Sequence, residues 1–201
     1  MSPSTAILDL ARTRGVLRSR DLLAHAGGSY RVTLRTLTRQ GKLIRLGRGI
    51  YAAPGKESGE HAALAGIAIR YPGAVICLLS ALQLHGLGTQ SPHELWVAIE
   101  NKSRVPKLDY PPLRVARFSG DALGYGVVQI DLGTGVQVVV TGIAKTIADC
   151  FKYRNKIGLD VALEALREAW RSKRVTMDEL VEAAKVCRVS NVIRPYLECL
   201  V

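Results

Sequence analysis

The apolar positions of the first fifty residues recur at helical spacing, in short runs broken by glycine. Ile7, Leu8, Leu10 and Ala11 predict a helix over 4–13, with Ser4 as N-cap and Gly15 at its end. Val16 and Leu17 form a short extended link. Ser19 opens a second short helix over 20–25 that buries Leu22 and Leu23, and Gly27-Gly28 breaks the chain again. Ser29 caps a third helix running to residue 40, with Tyr30, Leu34 and Leu37 on one side and Gly41 as its stop. Residues 43–46 and 49–53 then read as two strands turning about Gly47-Arg48. Helix, helix, helix, hairpin is the order of a winged helix-turn-helix.

A short polar, glycine-containing stretch at 54–59 marks a boundary. Beyond it, Ala62, Ala63, Ile67 and Ile69 predict a helix over 60–71, followed by a buried strand over 74–79. Ser80 caps a short helix to His85. Strands are expected at 94–100, 113–118, 127–131 and 136–140, with a basic, proline-bearing loop at 101–112. From 143 the pattern is helical, over 143–153, 159–172, 177–187 and 191 onward. A small mixed sheet followed by a helical run makes an α+β domain. The chain is therefore expected to be α+β, with a winged helix at 1–54 and an α+β domain at 59–201.

Charge sharpens the picture. The 201 residues are 48% hydrophobic and 22% charged, so a sizeable core is expected, and the net charge of +11 calls for a polyanionic partner. No apolar run approaches the roughly 18–20 residues that span a bilayer, and the first ten residues lack a basic-then-apolar signal pattern, so a cytoplasmic protein with no membrane partner is expected. The first 55 residues carry ten basic side chains against two acidic ones; the remaining 146 carry 18 against 15. Nine of those ten are arginine, whose planar fork suits phosphates and guanine edges. On the third helix Arg31, Arg35 and Arg39 stand four apart and form a stripe away from Leu34 and Leu37, with Thr36, Thr38 and Gln40 on the polar surface. Like charges at that spacing cost roughly 0.2–0.5 kcal/mol per pair in isolation, a cost that a phosphate partner removes. The expected contact set on double-stranded operator DNA is Arg31, Arg35, Thr36, Arg39 and Gln40 in the major groove, with Ser29 at the helix start. Arg45 and Arg48 reach out from the wing, and Arg12, Arg14, Arg18 and Arg20 serve as phosphate clamps.

Two sets of motifs carry a resemblance. The first is Thr33-Leu34-Arg35-Thr36-Leu37 followed by Gly41-Lys42-Leu43-Ile44-Arg45-Leu46-Gly47-Arg48-Gly49-Ile50-Tyr51. The second is Ser80-Ala81-Leu82-Gln83-Leu84-His85-Gly86-Leu87 together with Val139-Val140-Thr141-Gly142-Ile143-Ala144-Lys145-Thr146-Ile147-Ala148-Asp149-Cys150-Phe151. Both resemble the AbiEi antitoxins of bacterial abortive-infection, type IV toxin–antitoxin systems, over nearly the whole chain. Relatives often have a proline just ahead of the lysine-threonine helix start, where this chain has Gly142-Ile143-Ala144. The resemblance implies a repressor that binds repeats in its own promoter. It also implies a protein that counters an AbiEii-type nucleotidyltransferase toxin without a stable complex, that second role lying in the C-terminal domain.

Other chemistry is weaker. Lys145, Thr146 and Asp149 read either as a functional polar site or as a helical i,i+4 ion pair with a helix-start hydroxyl. His85 reads as a structural histidine, and Trp96 and Trp170 as core. Cys77, Cys150, Cys187 and Cys199 lie far apart and lack zinc-finger spacing, so buried free thiols and no metal are expected. Lys102, Arg104 and Lys107, then Lys152, Arg154 and Lys156, then Arg171, Lys173 and Arg174, form smaller basic clusters. These read as solvated faces or as a second nucleic-acid or partner contact. Glu100-Asn101-Lys102 at a strand end is the carboxylate–lysine pattern of magnesium-dependent nucleases, but no upstream strand aspartate completes it. With no phosphate loop, dinucleotide fingerprint, nucleophile elbow or zinc-protease motif, no cofactor and no enzymatic activity are expected. A stand-alone regulator whose second domain senses a ligand or partner is the alternative to an antitoxin.

Overall fold

The computed structural model describes residues 2–22, 30–47, 49–54, 60–106, 112–131 and 136–200. The chain falls into two compact units. The first comprises Met1–Pro72 with Leu108–Pro111 and Ile130–Val138; the second comprises Gly73–Lys107, Pro112–Gln129 and Val139–Val201.

In the first unit, helix α1 spans Pro3–Arg14. Its cap is Ser2 rather than the expected Ser4: the Ser2 hydroxyl accepts from the Thr5 amide at 3.2 Å, and proline fills the first turn, where a missing N–H costs nothing. Ile7 and Ala11, one turn apart, are its fully buried positions. The link after Gly15 is a true strand, β1 (Val16–Arg18), and Ser19–Leu22 is a 3-10 turn. Helix α2 is Tyr30–Arg39, and strands β2 (Ile44–Gly47) and β3 (Ile50–Ala52) form the hairpin. The sheet order is β1-β3-β2, antiparallel throughout, with Val16, Leu17 and Arg18 opposite Ala52, Tyr51 and Ile50. Sequence reading missed β1 because three residues are too few to show alternation; its pairing is decided by β3. Gly49 holds the turn at φ +77, and its carbonyl accepts from the Ser19 amide at 2.8 Å. A Cβ there would sit 3.0 Å from the Ser19 hydroxyl, so both backbone conformation and space ask for glycine.

Ile7, Leu17, Leu22, Tyr30, Leu34, Leu37 and Leu43 make the winged helix's core. Packing continues past the compositional boundary at 54–59. Helix α3 (Glu60–Arg70) sets Ala65 and Ile69 against Val16 and Ile50, so it belongs to the first unit.

A five-stranded sheet comprises β4 (Val75–Ile76), β5 (Leu95–Glu100), β6 (Leu113–Phe118), β7 (Val127–Asp131) and β8 (Gln137–Thr141) in the order β6-β5-β4-β8-β7; all of it lies in the second unit except the end of β7 and the start of β8, which group with the first. The sheet is mixed: β4 is antiparallel to β5 but parallel to β8, and β5 is parallel to β6. Val97, Ala98 and Ile99 are buried in succession, so β5 is covered on both faces. Helix α4 (Leu78–His85) starts earlier than expected and cuts β4 to two residues. A buried apolar run has the same signature in strand and helix, which is why 74–79 misled. Ser80 is inside α4, fully buried, and its hydroxyl accepts from the Trp96 amide at 3.0 Å instead of capping. Helices α5 (Ile143–Lys152), α6 (Arg154–Ile157), α7 (Leu159–Arg171), α8 (Met177–Cys187) and α9 (Ser190–Glu198) come after the sheet. Thr176 and Glu179 form a reciprocal capping box on α8. Leu82, Phe118, Ile147, Phe151, Leu166 and Leu180 are among the core residues joining these helices to the sheet. The fold is α+β: a winged helix, then a small mixed sheet and a run of helices.

Candidate nucleic-acid interface

Helix α2 is two-sided. Tyr30, Leu34 and Leu37 are buried; Arg31, Arg35, Thr36, Arg39 and Gln40 are exposed. The split follows from 3.6 residues per turn, which places 30, 34 and 37 on one arc and 35 and 39 on the opposite one. Among the described residues neither Arg35 nor Arg39 has a carboxylate partner. Arg31 is different. Its Nε donates to the Tyr30 hydroxyl at 3.1 Å and its guanidinium lies 5.7 Å from that ring's centre, which ties it to the rim of the face. Thr38, half-buried, donates to the Leu34 carbonyl at 2.8 Å.

The remaining arginines are scattered around α2. Arg45 is exposed on β2, Arg18 is half-buried at the end of β1, and Arg20 is exposed on the 3-10 turn. Arg12 is exposed on α1 and sits 3.7 Å from Asp9, a solvated pair that leaves its charge available. Arg14 lies in the last turn of α1. Ser29 and Arg48 lie outside the described residues. Sequence reading overlooked Val32, which is 69% exposed, the most exposed large hydrophobic residue among those described. Helical arithmetic finds it: at 100° per residue Val32 falls about 160° from Leu34, beside Arg39 at about 140°.

The second unit places its chemistry differently. Lys145, Thr146 and Asp149 are together on α5, each buried, the lysine and aspartate at 1% exposure. The Lys145 ammonium is 2.5 Å from Asp149 Oδ2 and 4.4 Å from the centre of the Phe118 ring. Cys187 Sγ donates to Asp149 Oδ1 at 3.3 Å. Burial raises the Asp149 pKa, with Lys145 pulling it back down. Burial, then the facing Asp149 carboxylate, push the Cys187 thiol up to about 12, and burial pushes Cys77 and Cys150 up as well. The Thr146 hydroxyl bonds the Thr141 and Gly142 carbonyls, both at 2.9 Å. The backbone packs closely beside the lysine stem: a Cβ on Gly126 would come 3.1 Å from Lys145 Cβ, and one on Gly142 2.9 Å from the Gly126 carbonyl oxygen. The geometry is that of an ion pair closed off from solvent.

His85 Nε2 is 2.7 Å from the Thr141 carbonyl, and burial lowers its pKa, so the neutral ring donates there. Cys77, Cys150 and Cys187 are buried free thiols, but Cys199 is exposed: α9 ends at Glu198, and the capping residue after it is in solvent. Trp96 and Trp170 pack on the core. Glu94 is committed to Arg114 at 2.6 Å, and among the described residues no three His, Cys, Asp or Glu converge on a metal position. Lys102 and Arg104 are exposed beside Arg117, which donates to the carbonyls of Glu100, Asn101 and Ser103; Lys107 lies outside the described residues. No described helix is long and apolar enough to cross a membrane.

The first unit has the fold of a winged helix, with an exposed basic face on α2. Residues 6–54 match the family model described as "Transcriptional regulator, AbiEi antitoxin", the family that the motifs resemble. The whole fold is similar to the crystal structure of the RV2827C protein from Mycobacterium tuberculosis, with a TM-score of 0.57 at 15% identity, over 98% of this chain and 80% of that one. At that identity the likeness is one of fold. No curated protein matches the chain.

Proposed function

We propose that this protein represses its own toxin–antitoxin operon by binding promoter repeats with α2 and the wing, and that it counters a nucleotidyltransferase toxin encoded beside it. The observation that carries the reading is the division of α2: Leu34 and Leu37 buried, Arg35 and Arg39 exposed. This division lies in the segment that matches the antitoxin regulators. Arg35, Arg39, Thr36 and Gln40 enter the major groove. Arg31, tied to Tyr30, sits at the groove's edge against phosphate. Arg45 and Arg48 extend the contact along the wing, and Arg12, Arg14, Arg18, Arg20 and Ser29 complete the phosphate contacts. The second unit carries the antitoxin role.

The test is a gel-shift titration of the protein's own promoter with Arg35→Ala/Arg39→Ala. Binding should fall below detection while the thermal melt is unchanged, because both side chains stand in solvent. Undiminished promoter affinity overturns the assignment of α2. A nucleotidyltransferase gene next to this one separates an antitoxin from a stand-alone regulator.

A further inference from the structure

Val32 is out of place as a surface residue. It is 69% exposed, yet β-branched, and a β-branched side chain on a helix surface loses rotamer freedom without any burial to offset it. Single exposed apolar residues are common on protein surfaces. This one, however, borders the arginine stripe of α2, beside Arg39 around the helix and with Thr36 one turn on. It is also in the first described turn of α2, and the first residues of a recognition helix are the ones that reach base edges. The major groove offers only one apolar feature, the C5-methyl of thymine. Arginine cannot read that feature, since it recognises guanine acceptors and phosphate.

We propose that Val32 reads a thymine methyl group, so that the operator carries a thymine at a fixed position under the start of α2. The proposal rests on α2 being the recognition helix. Arg35 and Arg39 supply affinity, and Val32 supplies discrimination against cytosine and against any pyrimidine lacking the methyl.

The experiment uses full-length protein and duplexes of its own promoter in which each thymine in turn is replaced by deoxyuridine, which differs only by that methyl. Burying one methyl-sized group corresponds to about a fourfold change in affinity. The wild-type protein should lose about fourfold at one position per repeat, and Val32→Ala should bind the thymine and deoxyuridine duplexes equally at that position. Val32→Ala should melt as the wild type does, since the side chain is in solvent. Three results overturn the proposal: no deoxyuridine substitution weakens the wild type, the sensitive position stays sensitive in Val32→Ala, or the sensitivity disappears in Thr36→Ala and not in Val32→Ala. Each of these leaves promoter binding intact, so the recognition-helix reading survives them. If the wild type binds no promoter duplex at all, both readings fall together.

Discussion

Lys145 and Asp149 show what a residue's neighbours do to its meaning. Their spacing alone allows a functional site or an i,i+4 pair, and the structure buries both at 1% exposure, 2.5 Å apart, with Cys187 donating to the second carboxylate oxygen. Inside a protein such a pair adds little net stability over an apolar replacement, but removing one partner leaves a buried charge alone. Lys145→Met should therefore destabilise the protein by roughly 3–5 kcal/mol in a urea titration, and Lys145→Met/Asp149→Leu should recover much of the loss. A single variant as stable as the wild type means that the site is open to water. Nothing in the sequence tells that Phe118, Gly126 and Cys187 pack against the pair, because they come from three segments distant in the chain. Val32 is the opposite case: its exposure follows from counting around a helix.

Elements were legible where they are long and two-sided. Helix α2 is one of these, and its alternation of buried and basic positions is visible in the letters. So is the strand at Leu113–Phe118, which follows Pro112 and alternates exposed with more buried positions. Short elements were not: β1 has three residues and β4 two, and each exists because a partner strand supplies its hydrogen bonds. Of the short helix expected over 20–25, the described residues show a 3-10 turn at Ser19–Leu22, and 23–25 lie outside them. The basic face of α2 leads to a prediction at this scale. If five or six arginines of the first unit neutralise phosphates, log affinity for the promoter should fall with log salt at a slope of roughly −5. Each Arg→Ala change at a phosphate contact should flatten the slope by about one. A slope near zero in a salt-titrated binding assay rules out the electrostatic grip.

Across the whole molecule, charge is divided unequally. Ten of the 28 basic residues and two of the 17 acidic ones fall in the first 55, while the remainder of the chain carries a near-balanced set. DNA binding and toxin neutralisation should therefore separate. If the proposed nucleotidyltransferase toxin is encoded beside this protein, Arg35→Ala/Arg39→Ala should still restore growth in cells expressing that toxin while a promoter-reporter fusion is derepressed. Loss of both together would place antitoxicity in the winged helix. The sequence by itself determined the class of fold, the two-faced α2 and the concentration of arginine, because periodicity and charge are local and survive without knowing the partners. It also carried the resemblance that residues 6–54 bear out. The tertiary structure alone decided that β1 joins the wing sheet, that α3 belongs with the winged helix rather than with the five-stranded sheet, and that Lys145 is buried. Those three depend on segments distant in the chain, and burial is a property of what packs against a residue, which no local pattern records.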